Sequence, residues 1–118
     1  MLNQSARLDL AFQALADPAR RAMVERLSRG PASVTELGRP FAISLPAVMQ
    51  HLSLLQEAGL VRSKKTGRVR TCRINPAALS RAEQWINLRR TEWEQRLDRL
   101  GRYLETLNED GPGNDARK

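Results

Sequence analysis

The chain has 118 residues but only one cysteine, Cys72, and one histidine, His51. A lone cysteine cannot close an internal disulfide, so a reducing cytoplasm is the expected compartment. One thiol and one imidazole also fall short of the three or four N, S or O ligands that zinc needs, and neither a metal nor any other cofactor is expected. With no Gly-rich phosphate loop either, no nucleophile–base pair or nucleotide cradle is assembled, so an enzyme is not expected. Aromatic residues make up 4% of the chain. No apolar run approaches the length that spans a bilayer. The start, Met1-Leu2-Asn3-Gln4-Ser5, lacks a basic segment followed by an apolar one, and no secretory signal is expected there.

What is present is charge, and it is unevenly placed. The net charge is +7. Residues 60–75 contain Arg62, Lys64, Lys65, Arg68, Arg70 and Arg73 and no acidic residue, so this stretch alone carries +6. The rest of the chain is nearly balanced. A concentrated positive field suits a polyanion, and nucleic acid is the commonest one. A solvated basic hairpin without a partner is the plainer alternative.

Hydrophobic periodicity outlines the elements. Leu8, Ala11, Phe12 and Leu15 recur at helical spacing and predict a helix from about Ser5 to Ala16. Asp17-Pro18 provides an N-cap and a first-turn proline for a second helix striped by Met23, Val24 and Leu27, which Gly30-Pro31 ends. Ser33-Val34-Thr35-Glu36 reads as a capping box for a short helix before Pro40. Ser44 is the next N-cap, followed by Val48, Leu52 and Leu55 on the inner face of a helix reaching Ala58 and closed by Gly59. Two short helices joined by a tight turn form a helix-turn-helix.

Leu60–Lys64 and Val69–Ile74 are β-compatible runs around Lys65-Thr66-Gly67-Arg68, a hairpin with glycine in its turn. From Pro76 a long helix follows, with Leu79, Ala82, Ile86, Trp93, Leu97, Leu100, Leu104 and Leu107 on its apolar seam. About thirty residues at 1.5 Å each give ~45 Å, too long for so small a domain to cover, which implies a partner helix. The expected fold is mainly α with a small β-hairpin: a winged helix-turn-helix of five helices plus a two-stranded wing. One domain spans residues 1–107, and residues 108–118 form a disordered tail.

In such a fold the second helix of the pair enters the major groove N-terminus first. The residues presented there are Ser44, Leu45, Pro46, Met49, Gln50 and Ser53. Gln50 suits adenine, and Leu45, Pro46 and Met49 suit thymine methyls. The hairpin brings Lys64, Lys65, Arg68 and Arg70 toward phosphates, contacts that position rather than specify.

The runs Asp17-Pro18-Ala19-Arg20-Arg21, Ser44-Leu45-Pro46-Ala47-Val48, His51-Leu52 with Leu55, and Glu57-Ala58-Gly59-Leu60-Val61 resemble the ArsR/SmtB family of winged-helix repressors over roughly residues 6 to 107. The resemblance implies a homodimer through the first and last helices, with Leu8, Phe12, Leu15, Trp93, Leu97, Leu100 and Leu104 at the interface. It also implies binding of double-stranded DNA at an inverted-repeat operator, and release when an effector binds. Metal-sensing relatives carry a Cys-x-Cys run where this chain has Glu36-Leu37-Gly38-Arg39-Pro40, or Asp and His residues on the last helix, where this chain has no histidine. A metal-independent branch is therefore expected, with any small-molecule effector left open. Related sequences place polar residues where Met49-Gln50 stand, which bears on the operator sequence read.

Other readings stay open at this stage. His51 is either a DNA contact or a half-buried packing residue whose ring nitrogen meets a nearby carbonyl. Cys72 is either a small strand residue or a redox sensor activated by Arg70 and Arg73. Trp85 and Trp93 either pack a dimer seam or line an effector pocket. RNA or single-strand binding would call for aromatics within the basic hairpin, and it has none. A protein-interaction module built on the long helix, with DNA binding weak or vestigial, is the remaining alternative.

Overall fold

The structure is a computed structural model that describes residues 4–110. Its elements are α1 (Gln4–Leu15), α2 (Pro18–Leu27), β1 (Ala32–Ser33), α3 (Val34–Gly38), α4 (Leu45–Glu57), β2 (Val61–Thr66), β3 (Val69–Ile74) and α5 (Pro76–Asp110). The helix starts follow the caps visible in the sequence. Asp17 accepts from the Arg20 backbone N–H at 3.0 Å and opens α2. Ser33 and Glu36 form a reciprocal capping box, with bonds of 3.1 and 3.0 Å, and open α3. Ser44 Oγ accepts from the Ala47 N–H at 3.3 Å and opens α4. Each cap satisfies a helix donor that would otherwise have no partner inside the helix.

The hairpin is tighter than its four-residue turn suggested. Thr66 pairs with Val69, leaving Gly67 and Arg68 as a two-residue loop. Gly67 takes φ +64 and among the described residues no non-glycine residue has positive φ, the pattern of a turn with glycine at its first central position. The sheet also has a third strand that the sequence did not announce. β1 pairs antiparallel with β3, Ala32 opposite Cys72 and Ser33 opposite Thr71, in the order β1-β3-β2.

The chain divides into two compact units, the first ending at Glu83 and the second beginning at Gln84. In the first, Met23, Leu27, Leu37, Leu52, Leu55 and Leu60 are fully buried in a core that α2, α3, α4 and the sheet share. The first turns of α5 join that core through Ala78. In the second unit the helix runs on with almost every described side chain exposed. α5 extends to Asp110, so residues 108–110 of the expected tail are helical; residues 111–118 lie outside the described residues. Among the described residues no helix is long and apolar enough to cross a membrane.

Candidate nucleic-acid interface

α3 and α4 meet closely at one residue. A Cβ added at Gly38 would sit 2.7 Å from Val48 Cγ2, well inside contact distance. Only glycine lets the last turn of α3 rest on the first turns of α4. Val48, Leu52 and Leu55 then face the core, and the opposite face of α4 is left outside. That outer face holds Leu45 (58% exposed), Met49 (40%), Gln50 and Ser53, with Pro46 exposed in the first turn. These are the residues expected at the groove-entering end.

The wing stands beside that face. Lys64, Lys65 and Arg68 are exposed, and Arg70 is half-buried with its guanidinium donating to Ser63 Oγ at 3.0 Å. The same hydroxyl accepts from Gln56 Nε2 of α4 at 3.1 Å, so Ser63 ties the wing to the helix. Leu45 and Met49 line one groove of about 440 Å³ together with Lys65, Arg68, Val69 and Arg70. Pro46, Gln50, Ser53 and Lys64 do not line it.

The strand register concentrates like charge. Arg62 lies opposite Arg73, and Lys65 opposite Arg70. Like charges facing each other across a strand pair are destabilising, and residues 60–75 contain no acid to relieve them. Such an arrangement is tolerable on a surface that meets an anion.

His51 lies against α2 and meets a guanidinium, not the carbonyl expected of a packing histidine. Arg20 donates to His51 Nδ1 at 3.3 Å and to the carbonyls of Ala14 at 2.8 Å and Gln13 at 3.2 Å. Arg20 thus joins the end of α1 to the middle of α4. Asp17 Oδ2 lies 4.0 Å from the same imidazole nitrogen. The backbone N–H of Arg20 holds the Asp17 carboxyl below the usual carboxylate range, with Arg20 and His51 charge adding to the effect. Nothing in the sequence pairs positions 20 and 51.

Cys72 is fully buried in β3, and burial pushes its thiol above the ordinary value despite Arg70 nearby. A buried thiol with a raised pKa is a poor nucleophile, which favours the reading as a small strand residue over a redox sensor. Among the described residues no group of three or more His, Cys, Asp or Glu side chains is placed to hold a metal. On α5, Trp85 and Trp93 are exposed, with the Arg89 guanidinium 5.1 Å from the Trp85 ring. Leu97, Leu100 and Leu104 are exposed on the same helix, while Leu8, Phe12 and Leu15 of α1 are partly buried.

A model of the helix-turn-helix domain family matches residues 15–64. The HTH-type transcriptional regulator Rv2034 of Mycobacterium tuberculosis is 49% identical over 72 residues, covering 61% of this chain and 67% of the relative. The transcriptional repressor SdpR of Bacillus subtilis is 27% identical over 75 residues, 64% of this chain and 83% of the relative. A solved ArsR family transcriptional regulator, RHA00566, superposes with TM-score 0.74 at 46% identity over 80% of this chain and 97% of that one. The chain belongs to the ArsR family. It is a winged helix-turn-helix DNA-binding transcriptional regulator, and its family is one of regulators rather than enzymes. ArsR-family membership makes the outer face of α4 and the adjoining wing the natural place to look for the DNA contact.

Proposed function

We propose that this ArsR-family chain is a homodimeric, cytoplasmic repressor that reads an inverted-repeat operator without a metal. The observation that carries the reading is the acid-free wing, with Arg62 facing Arg73 and Lys65 facing Arg70, standing beside the exposed end of α4. Lys64, Lys65, Arg68 and Arg70 neutralise phosphates. Gln50 reads a base edge through its paired donor and acceptor, and Leu45, Pro46 and Met49 contact thymine methyls. Ser44 and Ser53 contact the backbone at either end of that face. The apolar seam of α5, through Trp93, Leu97, Leu100 and Leu104, and the Leu8, Phe12 and Leu15 face of α1 supply surfaces for a second copy. Two protomers then present two half-sites, and the SdpR likeness supports repression as the outcome.

The test is titration with duplex DNA over a salt series, beside single-stranded RNA of equal length. Arg68→Ala with Arg70→Ala should weaken all duplexes alike and flatten the salt slope by about one unit per lost phosphate contact. A double variant that binds duplex as the parent does across salt overturns the wing assignment, and tighter binding of RNA overturns the duplex reading. Selection from a random duplex pool should enrich an inverted repeat; enrichment of a single half-site overturns the dimeric reading.

A further inference from the structure

A helix about 10–12 Å across fills a major groove about 12 Å wide, so both of its flanks come against phosphate backbones. The wing adjoins one flank of α4. Leu45 and Met49 share a hollow with Lys65, Arg68 and Arg70, and Gln56 donates to Ser63 of β2. His51 stands on the other flank, against α2. At about 100° per residue it lies roughly 140–160° round the helix from Gln56 and Met49.

The contacts of His51 decide which ring nitrogen carries the proton. Arginine has donors and no acceptor. Arg20 Nη1 therefore donates to His51 Nδ1, at 3.3 Å, and Nδ1 in this arrangement holds no proton. The Asp17 carboxylate, which would draw a proton onto Nδ1, stands off at 4.0 Å. The guanidinium itself is held in place by the carbonyls of Ala14 at 2.8 Å and Gln13 at 3.2 Å. With Nδ1 accepting, the imidazole proton sits on Nε2. That nitrogen has no hydrogen-bond partner among the described residues and is not buried. It lies across the ring from Nδ1, so its N–H points away from Arg20. Side chains on a helix lean toward the N-terminus, here the end with Ser44 and Leu45 that is assigned to the groove.

We propose that His51 donates its Nε2–H to a backbone phosphate on the flank of α4 away from the wing, and that Arg20 keeps the proton on that outward nitrogen. The inference rests on the DNA-interface reading and deepens it. Base edges lie on the groove floor, before Gln50 and Ser53; a residue on the flank meets the wall, which is phosphate. Held by the wing on one side and His51 on the other, α4 is fixed across the groove in a way that one-sided contacts leave loose. The contact positions and does not specify. It is also neutral, so it displaces no counterion, unlike those of Lys65 or Arg68. Arg20 touches no DNA in this scheme and is a positioning residue.

Two isosteric variants separate a DNA donor from a mere tie between α2 and α4. His51→Gln places an amide N–H near the Nε2 position, and His51→Asn places an amide oxygen near Nδ1, where Arg20 donates. His51→Asn should weaken all duplexes by about tenfold with an unchanged salt slope, and His51→Gln should bind close to the parent. The reverse order overturns the proposal and leaves His51 as a tie. A parallel measurement replaces each phosphate of the duplex in turn by an uncharged methylphosphonate. One position per half-site should cost the parent affinity and cost His51→Asn nothing; no such position overturns the contact. Because His51 is the only histidine, nitrogen NMR of its imidazole in mildly alkaline buffer reads the tautomer without ambiguity. The proton should be on Nε2 in the parent and should shift on adding duplex, and Arg20→Met should give mixed tautomers and weaker binding. A parent protonated on Nδ1, or a tautomer indifferent to Arg20→Met, overturns the role of Arg20. If Arg68→Ala with Arg70→Ala flattens the salt slope while His51→Asn binds as the parent does, this inference fails and the DNA-interface reading stands. A parent that binds no duplex overturns both.

Discussion

Leu55 and Leu100 each sit on the apolar stripe of an amphipathic helix, yet Leu55 is fully buried and Leu100 is half exposed. The contrast extends to the units they belong to. In the first, α2, α3, α4 and the sheet cover one another's apolar faces. In the second, every described residue from Gln84 to Asn108 except Asn87 is exposed. At 1.5 Å per residue the 35 residues of α5 run about 52 Å. Local support there is modest: the Arg89–Glu92 ion pair at 3.0 Å, the looser Arg90–Glu94 pair at 4.0 Å and the Arg89 guanidinium over Trp85. Pairs of this kind contribute about 0.2–0.5 kcal/mol each. The same residue type at the same helical spacing thus means a covered face in one unit and an exposed one in the other, the surface proposed above for a second copy.

The sharpest way to break this comparison is to charge the exposed stripe. Leu97→Glu with Leu100→Glu should convert a dimer to a monomer, because an unpaired carboxylate buried at an interface costs about 3–5 kcal/mol. Light scattering of parent and variant at equal concentration checks this; a variant that stays dimeric breaks the pairing assigned to α5. Leu55→Ala should do the opposite kind of damage. It should lower unfolding free energy in urea by about 2–5 kcal/mol whatever the protein concentration, since its cavity lies within one chain. A concentration-dependent loss for Leu55→Ala would erase the distinction between the two leucines.

Smaller effects come from the caps that open α2 and α3. The Ser33 backbone N–H and hydroxyl hold the Glu36 carboxyl below its ordinary value near 4.5, and the Arg20 backbone N–H does the same to Asp17 below 3.8. A depressed folded pKa stabilises fully above the ordinary value and is lost as pH falls through the lowered one. The first unit should therefore loosen below about pH 4.5. Urea titrations at neutral and acid pH measure this, and Glu36→Gln should reduce the dependence. Ser33→Ala removes the other half of the box and should cost about 1 kcal/mol. The smallest expected effect is none. Zinc, cadmium or arsenite at micromolar excess should leave duplex affinity unmoved, and bound metal found by elemental analysis at one per chain would contradict a metal-independent regulator.

The features legible in the sequence are those that a few adjacent residues determine. Asp17, Ser33 and Ser44 open their helices where their neighbours said they would, since a cap is a contact over three residues. The hairpin around Gly67 and the seam of α5 are likewise local patterns. Harder to read were features that depend on distant chain segments meeting. β1 is two residues long and exists only because Cys72 and Thr71 come alongside Ala32 and Ser33. Gly38 reads as an ordinary glycine until Val48 arrives beside it. The carbonyl expected beside His51 is a guanidinium, supplied from 31 residues away. At the candidate interface, the residues of α4 and the wing could be named from spacing and charge. Their joint groove, and the Gln56–Ser63–Arg70 tie that steadies it, required the packed structure.

Ser33 belongs to two elements at once. Its backbone pairs with Thr71 at the root of the wing, while its hydroxyl caps the first turn of α3. Wing and helix pair therefore share a pivot, and neither can be re-aimed at its base without dragging the other. Freedom survives only at the far tip, where Gly67 and Arg68 close the hairpin outside the core. A longer or shorter wing is therefore accommodated most easily at those two residues, which no ladder pairing holds.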